Sequence, residues 1–257
     1  MRALSIAASG MMAQQHRTEV VSNNLANMNT TGYQRQRTEF NNLLYRNHLR
    51  PESKSSQPGE TVPSGVHSGH GVNIGAVYRV NEQGALKSTT NTFDVAIRGE
   101  GYFQVQLPNG DIAYTRDGTF QLNEAGQLVT HEGLSVLPGI NVPSGVTDIT
   151  INSSGEVLVT QGDGATANVG GLLLSMFPNP GGLYAVGDNM FVATEKAGEP
   201  AVSVPGANGA GTVLQGFIES SNVNAIDEIS SLIRANRAYQ MNAKVMQAAD
   251  EMMATRR

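Results

Sequence analysis

Few side chains in this sequence are of a type and spacing that could do chemistry. His67 and His70 form an H-x-x-H pair, a spacing found in metal sites, but the pair lies in a Gly/Ser-rich segment with no nearby carboxylate or third ligand. The glycine-rich segments 99–101 and 206–211 are similar to phosphate-binding loops, yet neither lies between an apolar strand and the start of a helix. We therefore predict no metal site at the histidine pair and turns at both glycine-rich segments.

Carboxylate and guanidinium side chains also cluster along the sequence, as acid–base pairs would. The candidates are Asp94, Asp111, Asp117, Arg98 and Arg116. Each lies beside a predicted turn or in a strand-rich segment, where capping and cross-strand pairing explain it better than catalysis does. The sequence has no Ser-His-Asp or nucleophile-elbow arrangement. It therefore predicts no catalytic residue, no bound cofactor and no enzyme.

Composition narrows the class of protein further. The 257 residues include no cysteine and no tryptophan, 15% are charged, and the formal net charge is -5. This balance argues against a disordered polyelectrolyte and against a basic nucleic-acid binder, so we expect no nucleic-acid partner. The lack of cysteine excludes disulfides and thiolate metal sites. No apolar run approaches the length of a membrane span, so the sequence predicts no integral membrane segment.

The segment from Met1 to Met28 has the periodicity of an amphipathic helix. Its stripe recurs at alternating steps of three and four residues and comprises Leu4, Ala7, Met11, Gln14, Thr18, Val21, Leu25 and Met28. The Asn, Thr and Gly residues of 27–32 then stop the helix. The first ten residues are similar to a weak signal peptide, but Ser5 and Ser9 interrupt the apolar core, so we expect no cleavage.

The C-terminal segment predicts a second, longer helix. Ser220, Ser221 and Asn222 are good N-cap residues, and the two acidic residues that follow suit the first turns of a helix. Its predicted seam has heptad spacing and comprises Ala225, Ile229, Leu232, Asn236, Tyr239, Ala243, Met246 and Met253. Asn236 is the candidate for a polar residue that sets the register. Because Ala and Met dominate this seam, we expect close, adaptable packing against several neighbours.

Neither end carries enough large apolar surface to fold alone. Burial of the N-terminal stripe would contribute roughly 10 kcal/mol in all. Fixing the backbone costs on the order of 1 to 2 kcal/mol per residue before helix hydrogen bonds offset part of it. We therefore predict that both ends order only when neighbouring subunits bury them. The alternative is that the two helices simply pair within one globular domain.

Between the two ends the apolar period changes from helical to two. Alternation over 72–80 and 103–107 predicts half-buried strands. Further strands are predicted at 120–122, 128–130, 149–151, 157–160, 172–177 and 190–193, separated by Gly- and Asn-rich turns. Many short strands at close spacing indicate a β-sandwich or barrel-like domain. The segment 50–71, rich in Pro, Ser and Gly, reads as an extended connector, either a simple linker or a strap that orders against neighbouring subunits.

The predicted fold class is therefore α+β, a mainly β centre with an amphipathic helix at each end. We expect four parts: an N-terminal helix over 1–33, an extended linker over 34–71, a β-rich domain over 72–219 and a C-terminal helix over 220–257. Residues at the helical ends that we expect to mediate assembly are Leu4, Met11, Val21, Leu25, Met28, Ile229, Leu232, Tyr239, Ala243, Met246 and Met253.

Several motifs, in order along essentially the whole chain, resemble those of the bacterial flagellar rod and hook family. The N-terminal signature matches at Asn23, Asn24, Leu25, Ala26, Asn27, Thr30, Gly32 and Tyr33. Segments 94–103 and 114–120 are similar to its core-domain pattern. Segments 216–224, with Ser221, Asn222 and Val223, and 237–244 are similar to its C-terminal motifs. The departures are small: Gln34 stands where Lys is usual, and Gln240 where an acidic residue is common.

Within that family, the resemblance implies a subunit of the distal rod. The chain is shorter than a typical hook protein and has a full β domain that the smallest proximal rod proteins lack. A segment similar to the distal-rod insertion includes Gln57, Pro58, Gly59, Pro63, Ser64 and Gly65. The family's helices form an inner tube around the export channel, the connector forms a middle layer, and the β domain faces outward. The resemblance thus implies a rigid helical drive shaft that transmits motor torque to the hook.

The resemblance also implies partners and a location. The partners are further copies of this chain in a helical homopolymer, proximal rod proteins, the hook protein, the P- and L-ring proteins, the export apparatus and the rod cap. The location is the basal body, in the part of the rod that spans the periplasm, after export without a cleaved signal peptide. Two alternatives remain: a proximal rod or hook subunit, which would lack the insertion, and a secreted cell-wall-binding or hydrolytic β domain. Aromatic residues at 5% make the latter's sugar-binding platform improbable.

Overall fold

The computed structural model describes residues 2–49, 66–162 and 164–255, which form two compact units. The first unit contains the described residues of Met1–Ala26, Gln36–Tyr78 and Asn224–Arg257. The second contains Asn27–Arg35 and the described residues of Arg79–Val223. Each unit is therefore assembled from segments that lie far apart in the sequence.

The first unit combines two long helices with four strands. Its elements are α1 (Arg2–Ala26), β1 (Gln36–Asn42), β2 (Tyr45–Leu49), β3 (Val66–Gly69), β4 (Val72–Arg79, whose last residue belongs to the second unit) and α2 (Ala225–Ala254). Strand β1 pairs with β4, and β2 pairs with β3 in antiparallel fashion. Asn24 of α1 contacts Glu228 of α2, and Gly10 faces Asn242, so the two helices run antiparallel.

The second unit consists almost entirely of short strands. They are β5 (Leu86–Ser88), β6 (Val95–Arg98), β7 (Tyr102–Gln106), β8 (Ile112–Thr115), β9 (Phe120–Leu122), β10 (Leu128–Thr130), β11 (Val146–Ile151), β12 (Glu156–Gln161), β13 (Thr166–Gly171), β14 (Leu174–Met176), β15 (Tyr184–Gly187), β16 (Met190–Val192), β17 (Ala201–Ser203), β18 (Thr212–Gln215) and β19 (Phe217–Glu219). A short 3-10 helix, Pro180–Gly182, precedes β15.

Antiparallel pairing organises these strands. The largest sheet has the order β15-β16-β8-β7-β14-β17, and a three-stranded sheet has the order β11-β12-β13. The pairs β9–β10, β6–β18 and β5–β19 complete the unit. Its main core includes Ile97, Phe103, Phe120, Leu172 and Leu174, all at most 1% exposed.

A second cluster of aromatic side chains lies on the six-stranded sheet. The ring of Phe177 contacts those of Tyr102 and Tyr114, and Tyr102 also contacts Phe191. All three pairs meet edge to face, with 4.8 Å between the centroids of Tyr114 and Phe177. Burial raises the pKa of Tyr114 above its ordinary value. The guanidinium of Arg79 covers the ring of Phe191 at 4.3 Å, and burial lowers the pKa of Arg79.

The α+β class predicted from the sequence is confirmed, with helices at both ends and a mainly β centre. All eight predicted strand segments overlap observed strands, although the strand predicted over 172–177 is shorter in the structure, where it corresponds to β14. Strands without clean alternation, such as the buried β6 and the Gly-containing β13, were missed. Segment 36–49 of the predicted linker folds as β1 and β2. How the chain divides into layers in an assembly stays a prediction.

Both helix boundaries differ from the predicted ones. Helix α1 ends at Ala26, so Met28 lies in a turn beyond it. Helix α2 begins at Ala225, and its N-cap is Asn224, whose side-chain oxygen accepts a hydrogen bond from the Ile226 amide at 3.0 Å. The prediction that 220–222 would cap this helix was therefore wrong. The reason is that the Asn222 side chain bonds to distant backbone instead, as described below.

Candidate assembly surface and signature-motif sites

Small and polar side chains form the seam between α1 and α2. On α1 the buried residues are Ala7, Ala13, Val20, Val21 and Asn24, and on α2 they are Glu228, Ala235 and Ala249. The helices come so close that a Cβ atom added to Gly10 would lie 2.7 Å from the side-chain nitrogen of Asn242. This seam brings the backbones together but buries little large apolar surface.

The α1 stripe predicted from the sequence matches the observed seam in part. Ala7 and Val21 are buried, whereas Leu4, Met11, Gln14, Thr18 and Leu25 are half-buried and Met28 is 41% exposed. The prediction missed Ala13, Val20 and Asn24. The signal that could have found Ala13 is the run of small residues Ala7, Gly10 and Ala13 at helical spacing.

On α2 the predicted seam coincides with none of the buried positions, although members such as Leu232 and Met246 lie three or four residues from them on the same face. The buried positions Glu228, Ala235 and Ala249 each lie one residue before a position of the predicted heptad, about 100° around the helix. Ala225, Leu232, Ala243 and Met246 are half-buried, while Ile229, Asn236, Tyr239 and Met253 are exposed. Within the chain, Asn236 therefore does not set the register. Whether the predicted residues mediate assembly stays a prediction.

Large apolar side chains remain exposed on both helices. Met12 of α1 is 69% exposed, and Ile226, Met241 and Met252 of α2 are 75%, 61% and 66% exposed. Other exposed apolar side chains on the two helices are Ile6, Ile229, Ile233, Tyr239, Val245 and Met253. Apolar patches of this kind mark protein–protein or membrane contact surfaces. Within the described part of the chain, neither helix is both long and apolar enough to cross a membrane.

The signature residue Asn222 ties together three segments of the second unit. Its side-chain oxygen accepts a hydrogen bond from the amide of Arg35 at 2.7 Å. Its side-chain nitrogen donates to the carbonyls of Val80 and Glu82, each at 2.9 Å. The short side chain thus satisfies three backbone groups, which explains why this position favours Asn and why Asn222 is unavailable to cap α2.

A second signature residue, Gly32, packs against the loop after β8. Its φ is +68°, and an added Cβ would lie 2.9 Å from the amide nitrogen of Asp117. Its own amide donates to the carbonyl of Glu219 at 2.8 Å. Nearby, the side chain of Asn189 donates to the carbonyl of Thr31 at 2.6 Å. The end of the N-terminal signature, Thr31 and Gly32, is therefore held by backbone contacts within the second unit, and only glycine permits them at position 32.

Arg116 and Glu219 form a buried ion pair beside this contact. Their side chains are 7% and 3% exposed, and the Arg116 Nε atom donates to a Glu219 carboxylate oxygen at 2.8 Å. The remaining guanidinium nitrogens donate to the carbonyls of Gly99 and Gly101, and the other Glu219 oxygen accepts the amide of Gly84 at 3.0 Å. With every polar group bonded, the pair joins four separate stretches of chain. We call Gly32, Arg116, Glu219 and Asn222 the polar junction.

The acid–base candidates have the structural roles that the sequence indicated. Asp94 accepts hydrogen bonds from Thr89 and Asn91, and Asp117 accepts the backbone amide of Thr119 at 3.0 Å. Asp111 accepts the side-chain nitrogen of Asn109 at 2.8 Å within a turn. The glycine-rich segment 99–101, predicted as a turn, is the short bend between β6 and β7 and supplies the carbonyls that bind Arg116.

The remaining predicted residues divide between described and undescribed parts of the chain. His70 contacts the carbonyl of Leu44 through Nδ1 at 2.8 Å. Among the described residues, no group of three or more His, Asp or Glu side chains is placed to hold a metal ion. Thr30 donates to Asn27 at 3.2 Å, and Ser221 accepts the amide of Val223 at 3.3 Å. The insertion residues Gln57, Pro58, Gly59, Pro63, Ser64 and Gly65 lie outside the described residues.

Asn24, at the centre of the N-terminal signature, is 1% exposed. Its side-chain oxygen accepts the amide of Gln36 at 2.8 Å, and its side-chain nitrogen donates to the carbonyl of the same residue at 2.8 Å. The nitrogen also donates to a carboxylate oxygen of Glu228 at 3.3 Å. One buried amide thus holds the start of β1 and the first turn of α2 against α1.

Comparison with known proteins identifies three family models that match this chain. Residues 4–34 match the flagella basal body rod protein, 96–159 match the D1 domain of the flagellar hook protein FlgE/F/G, and 214–255 match the C-terminal region of the flagellar basal body rod FlgEFG protein. All four residues of the polar junction and most of both helices lie within these matches.

Full-length relatives match as well. The flagellar basal-body rod protein FlgG of Caulobacter vibrioides is 50% identical over 98% of this chain and 97% of its own length. FlgG of Agrobacterium fabrum is 46% identical over 98% of this chain and 97% of its own length. The flagellar basal-body rod protein FlgF of Rhizobium meliloti is 32% identical over 96% of this chain and 92% of its own.

Proposed function

The chain belongs to the FlgG family of flagellar basal-body rod proteins, and from this premise we propose that it polymerises through its helical ends into the distal rod. It is a structural subunit of the flagellar rod. The observation that carries the proposed mode of assembly is the set of exposed apolar side chains on α1 and α2, such as Met12, Ile226 and Met241. They lie outside the seam by which the two helices contact each other.

A helical tube is the arrangement that buries these side chains. A contact between two different surfaces of the same subunit repeats without closing and generates a filament. In such a tube each helix pair has neighbours on several sides, so Ile229, Tyr239 and Met253, which one chain leaves exposed, become buried. The helices then enclose the export channel, and the β-rich unit faces outward. The tube acts as a drive shaft that transmits torque from the motor to the hook.

The proposed partners follow from this position. Proximal rod proteins contact one end of the polymer and the hook protein the other, while the P- and L-ring proteins surround it. The export apparatus and the rod cap are needed during assembly. The subunit is exported without cleavage of a signal peptide and lies in the part of the rod that spans the periplasm. We expect no catalytic activity. The insertion around Pro58 is our candidate for the contact that makes this tube rigid, and deletion of 58–65 should give bendable rods if that is so.

A substitution on the exposed face of α2 tests the mode of assembly. Met241→Glu places a charge on a side chain that is 61% exposed, so the monomer should fold normally. If neighbouring subunits bury this side chain, purified basal bodies should lack the distal rod and cells should lose motility. Gln240→Glu, at an adjacent exposed polar position, is the matched control and should leave motility intact. Normal rods from the Met241→Glu strain would contradict the proposal.

Location within the rod requires a second experiment. A small tag inserted at Gly164, which has open space around its Cα, can be located by electron cryo-microscopy of purified basal bodies. We expect added density on the outer surface of the rod, between its proximal part and the hook. Density on the hook or on the proximal rod would instead favour the alternative subunits of the same family.

A further inference from the structure

The seam of α2 repeats so regularly that its packing alone does not define how α1 aligns with it. Glu228, Ala235, Asn242 and Ala249 follow one another at intervals of seven residues along the same face. Alanine alternates with a polar residue along this series. Because an Ala side chain fits against any small partner, a shift of α1 by one heptad would still bring small residues together.

Two contacts mark the present alignment, and one of them excludes a shift by one heptad. Asn24 lies beside Glu228, and Gly10 faces Asn242, so 14 residues separate the contacts on both helices. A shift of seven residues would place Asn24 against Ala235 and Gly10 against Ala249. The glycine position tolerates this change, since alanine is smaller than asparagine. The asparagine position does not, because the buried carboxylate of Glu228 would lose its donor.

Asn24 is also held in place by contacts other than the one to α2. Both of its polar atoms bond to the backbone of Gln36 at 2.8 Å, which fixes the direction in which the remaining N–H points. The carboxylate of Glu228 meets that N–H at 3.3 Å in the first turn of α2, directly after the Asn224 cap. A fixed donor and an acceptor on a rigid helix end form a directional contact, unlike the alanine packing around them.

We infer that the hydrogen bond between Asn24 and Glu228 sets the register of α1 against α2. A shift by one heptad would move one helix about 10 Å along the other and would change which exposed apolar side chains lie side by side. The register assignment stands on the geometry of the helix pair alone. Its consequence, that Asn24 and Glu228 determine the surface offered to neighbouring subunits, rests on the proposed function.

Disulfide trapping in the full-length monomer tests the register directly, because the chain has no cysteine of its own. The native register is reported by Gly10→Cys with Asn242→Cys. The shifted register is reported by Gly10→Cys with Ala249→Cys, with Asn242→Ala added to relieve crowding at position 10. We expect the native cross-link to form at least tenfold faster than the shifted one.

Variants at the contact should change this ratio without unfolding the helices. Asn24→Leu with Glu228→Leu should reduce it to within about threefold of unity while the helical circular dichroism is retained. Glu228→Gln keeps an acceptor and should preserve the ratio. Asn236→Leu, at an exposed position of the same helix, is the matched control and should also preserve it.

The outcome that overturns the inference is a tenfold preference that survives the double leucine substitution, because packing, or the segments that lead into the two helices, would then set the register. If that variant loses its helical signal, Glu228→Ala can replace it, because this change removes only the acceptor. The ratio of native to shifted cross-linking rates is then interpreted in the same way. Cross-linking captures the helix pair even where it forms only transiently in the monomer, so these measurements succeed or fail independently of rod formation. The Met241→Glu experiment tests rod formation separately.

Discussion

At Gly32 the backbone conformation and the surroundings both require glycine. The residue has φ of +68°, and a Cβ atom would lie 2.9 Å from the Asp117 amide nitrogen. We predict that Gly32→Ala destabilises the second unit by about 2 to 4 kcal/mol, the sum of backbone strain and displaced backbone. Gly110→Ala is a matched control, because Gly110 also has positive φ but nothing within 4 Å. For Gly110→Ala, urea denaturation should show a loss of only about 1 kcal/mol in the free energy of unfolding. Equal losses for the two variants would rule out the close approach at Gly32 as a cause.

The buried ion pair of Arg116 and Glu219 leads to a second prediction about single residues. Both side chains are buried, so Glu219→Ala would leave an uncompensated guanidinium and an unbonded amide at Gly84. We predict a loss of about 3 to 5 kcal/mol in the free energy of unfolding, measured by urea denaturation. Glu82→Ala is the control: its ion pair with Arg35 is 3.6 Å long and its side chain is 75% exposed. That change should cost less than about 1 kcal/mol.

A double substitution separates the charge from the shape of this contact. Arg116→Met with Glu219→Leu removes both charges and keeps side chains of similar volume. The double variant should therefore lose less free energy of unfolding than the sum of the losses of the two single variants. Strict additivity would mean that the two side chains do not act as a pair, contrary to the 2.8 Å contact between them.

At the scale of elements, the two helices were predictable and their mutual seam only in part. Hydrophobic periodicity located α1 and α2 because helical spacing persists over many residues. The seam was predicted only in part, because it selects small size: Ala235 and Ala249 are buried, while Ile229 and Tyr239 of the predicted seam are exposed. Hydrophobicity along a single sequence shows which helix positions favour burial. It does not show which face of the helix packs against the other helix of the same chain and which face is left exposed.

Strands and caps show the same division between local and distant causes. Strand β4 was predictable because its side chains alternate, whereas β6 is buried at three successive positions and carries no alternation. Asn222 has a good N-cap composition, yet its amide bonds to Arg35 and to Val80, residues far away in the sequence. Likewise, nothing local to Arg116 indicated that Glu219 would be its partner.

The small seam leads to a prediction about the helices as elements. Since α1 and α2 bury mainly Ala, Gly and short polar groups against each other, their pairing should contribute little free energy. We predict that in the monomer the amides of both helices exchange with solvent faster than those of β7 and β14, which flank the core at Phe103 and Leu174. Hydrogen exchange followed by mass spectrometry measures this, and assembled rods should show both helices protected. Equal protection of helices and core strands in the monomer would contradict the expectation that assembly orders the ends.

On the scale of the whole molecule, charge is divided unevenly between the two units. The residues of the second unit include 14 acidic and six basic side chains, a net charge of -8, whereas the rest of the chain has eight acidic and 11 basic side chains, a net charge of +3. Together they give the net charge of -5. In a polymer of identical subunits, neighbouring copies of the second unit therefore repel one another, while the helical ends lack this penalty.

Repulsion between like-charged units predicts how ionic strength affects assembly. The screening length falls from about 30 Å at 0.01 M salt to about 8 Å at 0.15 M, which is shorter than the width of such a unit. Sedimentation of the purified subunit should therefore show association at a lower protein concentration in about 0.15 M than in about 0.01 M sodium chloride. A variant with the exposed residues Glu124, Glu132 and Glu199 changed to Gln should depend less on salt. Association that weakens as salt is added would mean instead that attraction between the basic and acidic units of neighbouring copies, rather than apolar contact between helices, holds the polymer together.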